Sequence, residues 1–595
     1  MGQEARPVRR GLEDEDGDFE SVVQKLLEQN FDDWPNEAGF EGLTEVRGPV
    51  ELTVRGRIPA YAAGTLYRTG PGAYAVEDTP TGTFRTTHWF DGFGHTHKFD
   101  IIPDSRDPEA PMRVEYSSKR QSEELVNTIK KTGNRQQSIS FAQRRDPCIG
   151  LFGKLMTVWR NPSAKQNAGS DNVCVTVQAN VPGLPSEATH VVESGHRSGI
   201  KNVWLTTDST SLKEFDRETL EPIGYATQEK FHPLLRGPLS CAHAQRDPKT
   251  GDIFNYNLDM GRHATYRVFR VNASDGKTDI LATISAANIK PAYIHSFFLS
   301  PSFVILCIPS THLAFMGLKI VWERNIVDAI EPFDESKVCK WFVIDRIGNR
   351  GVVATFKSDA GFFFHSINAF EERDEATGDI KISCDLVQYN TLDVIRAFEM
   401  DVLLRNDGGT QRFWGDETRN RNTHARLVRH ELGIPATALD VGQKARKLPV
   451  LGRTEKTLEI KAPHVGELPT INPVHATRKY RYVYSLPNRG YSTLLDSLAK
   501  TDLETRETLY WDNPDGHTPG EAIFVPRPRG PGDEGGGELD EDDGVLLSVV
   551  LDGFGRRSYL LCLDAKTMTE LGRAECEWPV AFGFHGLHSS TAPLC

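Results

Sequence analysis

Four histidines, His243, His295, His365 and His585, have the side chain best suited to hold a transition metal, and they lie 52, 70 and 220 residues apart. Neutral imidazole nitrogens suit iron, copper or zinc. Ligands so scattered can share one ion only if the fold carries remote strands to a common axis. Their contexts, LSCAH243AQRDPKTGD, YIH295SFFLSPSFVILCIP, GFFFH365SINAFEE and FGFH585GLHSS, all have strand composition. The rings at 295 and 365 sit among apolar and aromatic neighbours, where an unpaired polar group is costly. The pattern points to a closed radial architecture around an iron.

Taken singly, each of these residues is more often a satisfied core or surface histidine than a ligand, so only the set carries the inference. The chain has 18 histidines, and others compete. His95 and His97 are two apart and share a face if they lie in a strand, although they follow the turn-rich DGFG. His588 lies three residues beyond His585, on the opposite face of the same strand, so only one of the two can face a central ion. Gly583 and Gly586 flank His585 and permit close approach, which favours His585.

Metal-bound imidazoles usually donate their second N–H to a carboxylate, which fixes the tautomer and raises the ligand's basicity. Glu467 in GELPTINP and Glu521 in GEAIFVPRP stand beside strand-like runs and are candidates for that role.

The elements that must position these groups are short. From about residue 45 onward, β-branched and aromatic runs alternate with Gly, Pro, Asn and Asp, the signature of many strands. Residues 213–224, 269–281, 342–356 and 560–574 each read as strand, Asp or Asn turn, strand, since these side chains bond their own turn backbone. Degenerate hairpins over several hundred residues favour an all-β propeller, which hides its sheet edges radially.

Residues 1–44 read as an acidic N-terminal extension with one amphipathic helix near Phe19 to Gln29, and 45–595 as the propeller domain. Two stretches break the β pattern. Glu123 to Trp159 reads as a covering helix over the core, with an interfacial lipid-facing patch as the alternative. Residues 527–544, rich in Gly and acids, read as a disordered loop.

Bulk properties exclude several classes. The net charge of −13, from 69 basic and 82 acidic residues, argues against a nucleic-acid partner. Nine cysteines with no CxxC pair suggest neither a disulfide framework nor a thiolate zinc site. The start, MGQEARPVRR, lacks the apolar core of a secretory signal, and Arg6 stands where myristoylation wants Ser or Thr. The apolar run from Phe303 to Val321 is broken by Pro309, Ser310, Thr311 and His312, too soon for a membrane span. These features lead to the expectation of a cytoplasmic protein, with peripheral contact to a membrane or lipid droplet left open.

The four histidine contexts, together with HWFDGFGH at 88–95 and LYRTGPGAYAV at 66–76, resemble the carotenoid cleavage oxygenases over nearly the whole chain from about residue 45. The resemblance implies a seven-bladed β-propeller capped by a helical and loop dome over the metal face. It also implies Fe(2+) held by four histidines, with an outer ring of three glutamates each bonded to one ligand. Carried over, the ligands are His243, His295, His365 and His585, and two of the carboxylates are Glu467 and Glu521. The third glutamate aligns on Gln178 in NVCVTVQANV, which would leave His295 or His243 with an amide oxygen as acceptor.

Family chemistry is O2-dependent scission of a conjugated C=C bond into two carbonyls. Phe90, Phe93, Phe297, Phe362, Phe363 and Phe364 are candidate walls for an apolar substrate tunnel. Fungal stilbene cleavers resemble this chain but carry a lysine where WLTTDSTSLKEFD has Thr206, and a threonine cannot deprotonate a phenol. Within that family the chain resembles the torulene-cleaving oxygenases of filamentous fungi. That likeness implies torulene as substrate and β-apo-4′-carotenal as product, in neurosporaxanthin-type apocarotenoid biosynthesis. Cleavage of β-carotene to retinal or of a stilbene such as resveratrol, isomerohydrolase chemistry on retinoid esters, and a non-catalytic propeller scaffold are the competing readings. Oligomeric state is left open.

Overall fold

The structure is a computed structural model that describes residues 7–104, 111–135, 139–144, 167–186, 199–439, 450–529 and 539–590. Among these residues the strands form seven blades of largely antiparallel sheet, numbered here I to VII in the chain order in which they begin, with the last strand closing blade I.

The turn chemistry read from the sequence operates as expected. In blade II, Asp216 accepts from the backbone N–H groups of Glu218 and Thr219 at 2.9 and 2.8 Å between the strands Ser211–Phe215 and Pro222–Thr227. The same device closes the hairpins at Asn272, Asp345 and Asp564. Each turn meets its own backbone demand locally, leaving the flanking strands free to pair.

Ring closure joins the two ends of the chain. The strand His585–Ser590 pairs antiparallel with Gly64–Ala73, with Thr69 opposite His585 and Arg68 opposite Gly586. On the rim, Val50–Gly56 pairs with Arg113–Arg120 of blade I and with Glu570–Glu575 of blade VII, so no free edge is left at the seam.

From residue 7 onward the N-terminal extension packs on this body. Val8–Arg10 adds to the outer edge of blade VI against Thr508–Tyr510. The helix Glu15–Glu28, close to the expected position, buries Val22 and Leu26 against Phe413 and Trp414. Those aromatics belong to short helices between Asp393 and Thr423 that, with the turn Ala314–Gly317 and helix Leu318–Glu323, cover one end of the ring.

The stretch 123–159 is helical over Glu123–Thr132, while its residues 136–138 and 145–159 lie outside the described residues. So do residues 530–538 of the acidic loop. Among the described residues no helix is long and apolar enough to cross a membrane.

Candidate metal centre

The four histidines meet. Each offers one nitrogen, and these four atoms lie within 4.8 Å of one another. Nε2 of His243 stands 3.1 Å from Nε2 of His295, and Nε2 of His365 stands 3.2 Å from Nε2 of His585. Two ligands about 2.1 Å from a shared ion and at right angles would be about 3.0 Å apart. The facing nitrogens therefore fit a single ion between them.

Local backbone features aim each ring. His243 and His295 stand two and three residues before the inner strands Gln245–Arg246 of blade III and Phe298–Leu299 of blade IV. His365 lies in the inner strand of blade V, Phe362–Arg373, where the pairing slips between Phe363 and Ser366. The extra residue of this bulge turns the side chain out of the regular alternation, toward the axis. The inner strands of blades IV and V are stitched by Ser296, whose hydroxyl donates to the carbonyl of Phe364 at 2.7 Å and accepts from the N–H of Ser366 at 2.6 Å.

Three of the rings find a carboxylate at their other nitrogen. Nδ1 of His365 is 2.5 Å from Glu467 and Nδ1 of His585 is 2.6 Å from Glu521, which places both sequence candidates beside ligands. Glu467 opens the inner strand of blade VI, and Glu521 stands two residues before the strand Ile523–Pro526 of blade VII. Glu467 depends on Gly466, where a Cβ would stand 2.0 Å from the carbonyl oxygen of Leu486.

The expectation for Gln178 is corrected. Its amide lies 3.4 Å from the carbonyl oxygen of Ala244, whereas Nδ1 of His295 faces both oxygens of Asp208 at 3.0 and 2.9 Å. Asp208 stands one strand further on, at the turn between Val203–Thr206 and Ser211–Phe215 of blade II. An aspartate is one methylene shorter than a glutamate, and a turn brings its backbone nearer the axis than a strand interior would. The signal was present in TTDST, where an acid stands at the mouth of a hairpin.

Further donors hold the carboxylates. The phenol of Tyr293 donates to Asp208 at 2.7 Å and that of Tyr389 to Glu467 at 2.6 Å. Arg68 pairs with Glu521. Among the described residues His243 is the one ring of the four with no carboxylate at its second nitrogen.

Burial, and then the neighbouring imidazoles, push the pKa of His243 and of His585 well below the ordinary histidine value. Both rings are therefore neutral near pH 7, with lone pairs available to a cation. Four imidazole nitrogens backed by three buried carboxyl groups form a donor set that fits a divalent ion.

The competing histidines lie elsewhere. His95 and His97 sit on the strand Phe93–Ile102 with ring centroids 4.3 Å apart, and His97 bonds the Tyr116 hydroxyl at 2.8 Å. His588 bonds the carbonyl oxygen of Ala62 at 3.0 Å.

A cavity of about 360 Å³ ends on His295, His365 and His585. Its walls include Trp89, Phe90, Phe364, Phe398 and Phe584 near the ligands, and Met260, Ile320 and Val321 beyond them. Of the six candidate wall residues Phe90 and Phe364 line the cavity; Phe93, Phe297, Phe362 and Phe363 are buried in the packing behind it. Thr207 faces the cavity. Thr206, singled out from the sequence, is buried with its hydroxyl donating to the carbonyl oxygen of Ala242 at 2.8 Å.

The chain is similar to known proteins across its length. The family model described as retinal pigment epithelial membrane protein, RPE65, matches residues 39–590. The chain is 50% identical over 596 residues to a carotenoid dioxygenase of Neurospora crassa, covering 97% of this chain and 94% of that one. It is 46% identical over 593 residues to a torulene dioxygenase of Gibberella fujikuroi, covering 98% of each. A crystal structure of cobalt-substituted Synechocystis ACO shares the fold, with TM-score 0.67 and 22% identity, covering 94% of this chain and 99% of that one.

Proposed function

This chain belongs to the RPE65 family of carotenoid oxygenases, and from that premise we propose that it cleaves torulene, with His243, His295, His365 and His585 holding Fe(2+). It is a carotenoid dioxygenase, an oxidoreductase that uses O2. Iron in this site would supply O2 binding and electron density to the bound O2, activating it toward the conjugated double bond. The observation that carries the reading is the aromatic cavity that ends directly on three of the four histidines.

The protein's own contribution is positioning. A rigid polyene lying along Phe90, Phe364 and Phe584 presents one C=C bond to the centre, and how far the chain can advance along the cavity selects which. The aromatic walls exclude water and bury the hydrocarbon, at about 25 cal/mol per Å² of apolar surface. Asp208, Glu467 and Glu521 hold the Nδ1 protons of three rings, which keeps each Nε2 lone pair aimed inward. Thr206, the position where the resemblance puts a stilbene cleaver's phenol-gripping lysine, carries no charge and spends its hydroxyl on the Ala242 carbonyl, which favours a hydrocarbon substrate. Peripheral contact with a lipid surface is part of the proposal: Phe315 and Leu318 are 76% and 71% exposed beside the cavity-lining Gly317 and Ile320.

Aerobic incubation of the iron-loaded protein with torulene, β-carotene and a stilbene, with product masses read out, tests the assignment. The expected product is β-apo-4′-carotenal from torulene. Aldehydes from the stilbene alone would overturn it.

A further inference from the structure

Each of the three carboxylates behind the histidines is held by a different donor, and one donor differs in kind. Asp208 and Glu467 accept from the neutral phenols of Tyr293 and Tyr389. Glu521 is paired with Arg68, and that pair is buried, with side chains 9% and 3% exposed. We propose that Arg68 is a positioning residue of the metal centre, whose positive charge balances the outer carboxylates and holds Glu521 against His585.

The first argument is charge. Three carboxylates against one guanidinium leave two negative charges in a buried site, which a dication cancels. Without Arg68 the site would carry one uncompensated buried charge, and a buried charge that loses its partner is strongly destabilising. The second argument is geometry. One oxygen of Glu521 faces Nδ1 of His585 at 2.6 Å, and the other accepts from the Gly586 N–H at 2.8 Å and from Arg68. Arg68 lies directly across the strand pair from Gly586, so guanidinium, carboxylate and imidazole form one chain ending at the ligand nitrogen.

The glycine after His585 is explained by the same arrangement. A Cβ at Gly586 would stand 2.6 Å from Cδ of Arg68 and 2.7 Å from the carbonyl oxygen of Tyr67. The backbone at Gly583 and Gly520 also passes close to the guanidinium, where a Cβ would come within 3.6 Å of its Nη2. Gly586 makes room for the large cation beside the site, whereas a Cβ at Gly583 or Gly520 would meet it only at ordinary contact distance.

The proposal rests on the reading that the four histidines hold a divalent ion, and its test measures metal binding directly, independently of the substrate. Co(2+) titrated into the metal-free protein under anaerobic conditions, followed by its visible absorption, reports affinity and ligand geometry. Arg68→Met is expected to weaken Co(2+) binding roughly 10–100-fold, the usual effect of losing a partner behind a ligand. Arg68→Lys, which keeps the charge, should stay within a few-fold of the parent.

If Arg68→Met does not fold, the Arg68→Met/Glu521→Gln pair decides, since it removes both charges together. It should bind Co(2+) no more weakly than Glu521→Gln alone. Parental affinity and spectrum in Arg68→Met, or independent losses in the double variant, would overturn the role of Arg68. Absence of Co(2+) binding in the parent would instead overturn the metal site itself.

Discussion

Asp208 and His295 are 87 residues apart in sequence, yet both carboxylate oxygens stand 2.9–3.0 Å from the imidazole Nδ1. The Ala242 N–H donates to the same carboxylate at 3.0 Å and the Tyr293 hydroxyl at 2.7 Å, so its lone pairs are committed before any ion arrives. Blade II thus supplies from a hairpin turn what blades VI and VII supply from the start of an inner strand or just before it.

Asp208→Asn should therefore lower iron occupancy or turnover by about 10–100-fold, because an amide accepts the Nδ1 proton more weakly and can present its own N–H instead. Gln178→Ala should leave both within about threefold of the parent. Metal analysis beside initial rates checks the pair; equal losses in the two variants would contradict the placement of Asp208.

Removing any one of the four rings should abolish stoichiometric iron, whereas His588→Gln should keep it. The His588 ring spends its Nε2 on the Ala62 carbonyl, and losing that bond costs about 1 kcal/mol of stability with no effect at the axis. Iron content after purification, together with the urea midpoint, separates the two roles.

Phe364 touches the metal site and the cavity together, with ring centroids 5.8 Å from both His295 and Phe90 and 4.7 Å from Phe362. Phe364→Ala should cost about 3–5 kcal/mol, as emptied aromatic sites do. The loosened wall should also yield a wider set of aldehyde lengths from one carotenoid. A single unchanged product would show that this wall does not set the cleavage position.

Acid should destabilise the fold through histidines remote from the metal. Burial lowers His95 to about 3 and His424 and His588 to about 4, against about 6.5 in an unfolded chain. Between those limits the unfolded state binds more protons, so stability is full above pH 6.5 and falls as pH drops toward 4. The slope is about 1.4 kcal/mol per pH unit for each fully titrating ring. Urea midpoints measured on metal-free protein from pH 7.5 to 5 should fall accordingly, and His424→Gln should flatten the decline. An unchanged midpoint over that range would contradict it.

Much of this was legible in the sequence because it is local. Asp and Asn turns close onto their own backbone, so the hairpins at 216, 272, 345 and 564 could be read from a dozen residues each. The choice of His585 over His588 followed from strand alternation and flanking glycines, and Glu467 and Glu521 from their place beside strand-like runs. Asp208 was missed because its role depends on which part of blade II approaches the axis, and neighbouring residues do not specify that. Thr207 rather than Thr206 facing the cavity, and Phe398 and Phe584 as walls rather than Phe93 and Phe297, were hidden for the same reason.

Sequence alone determined that four imidazoles need a closed ring of strands, since strand periodicity and residue chemistry are properties of short segments. Tertiary structure alone decided which carboxylate backs which ring and that a guanidinium on an N-terminal strand stands behind a C-terminal ligand. Those partners are set by the closure of the ring, which brings together groups as far apart as Arg68 and Glu521.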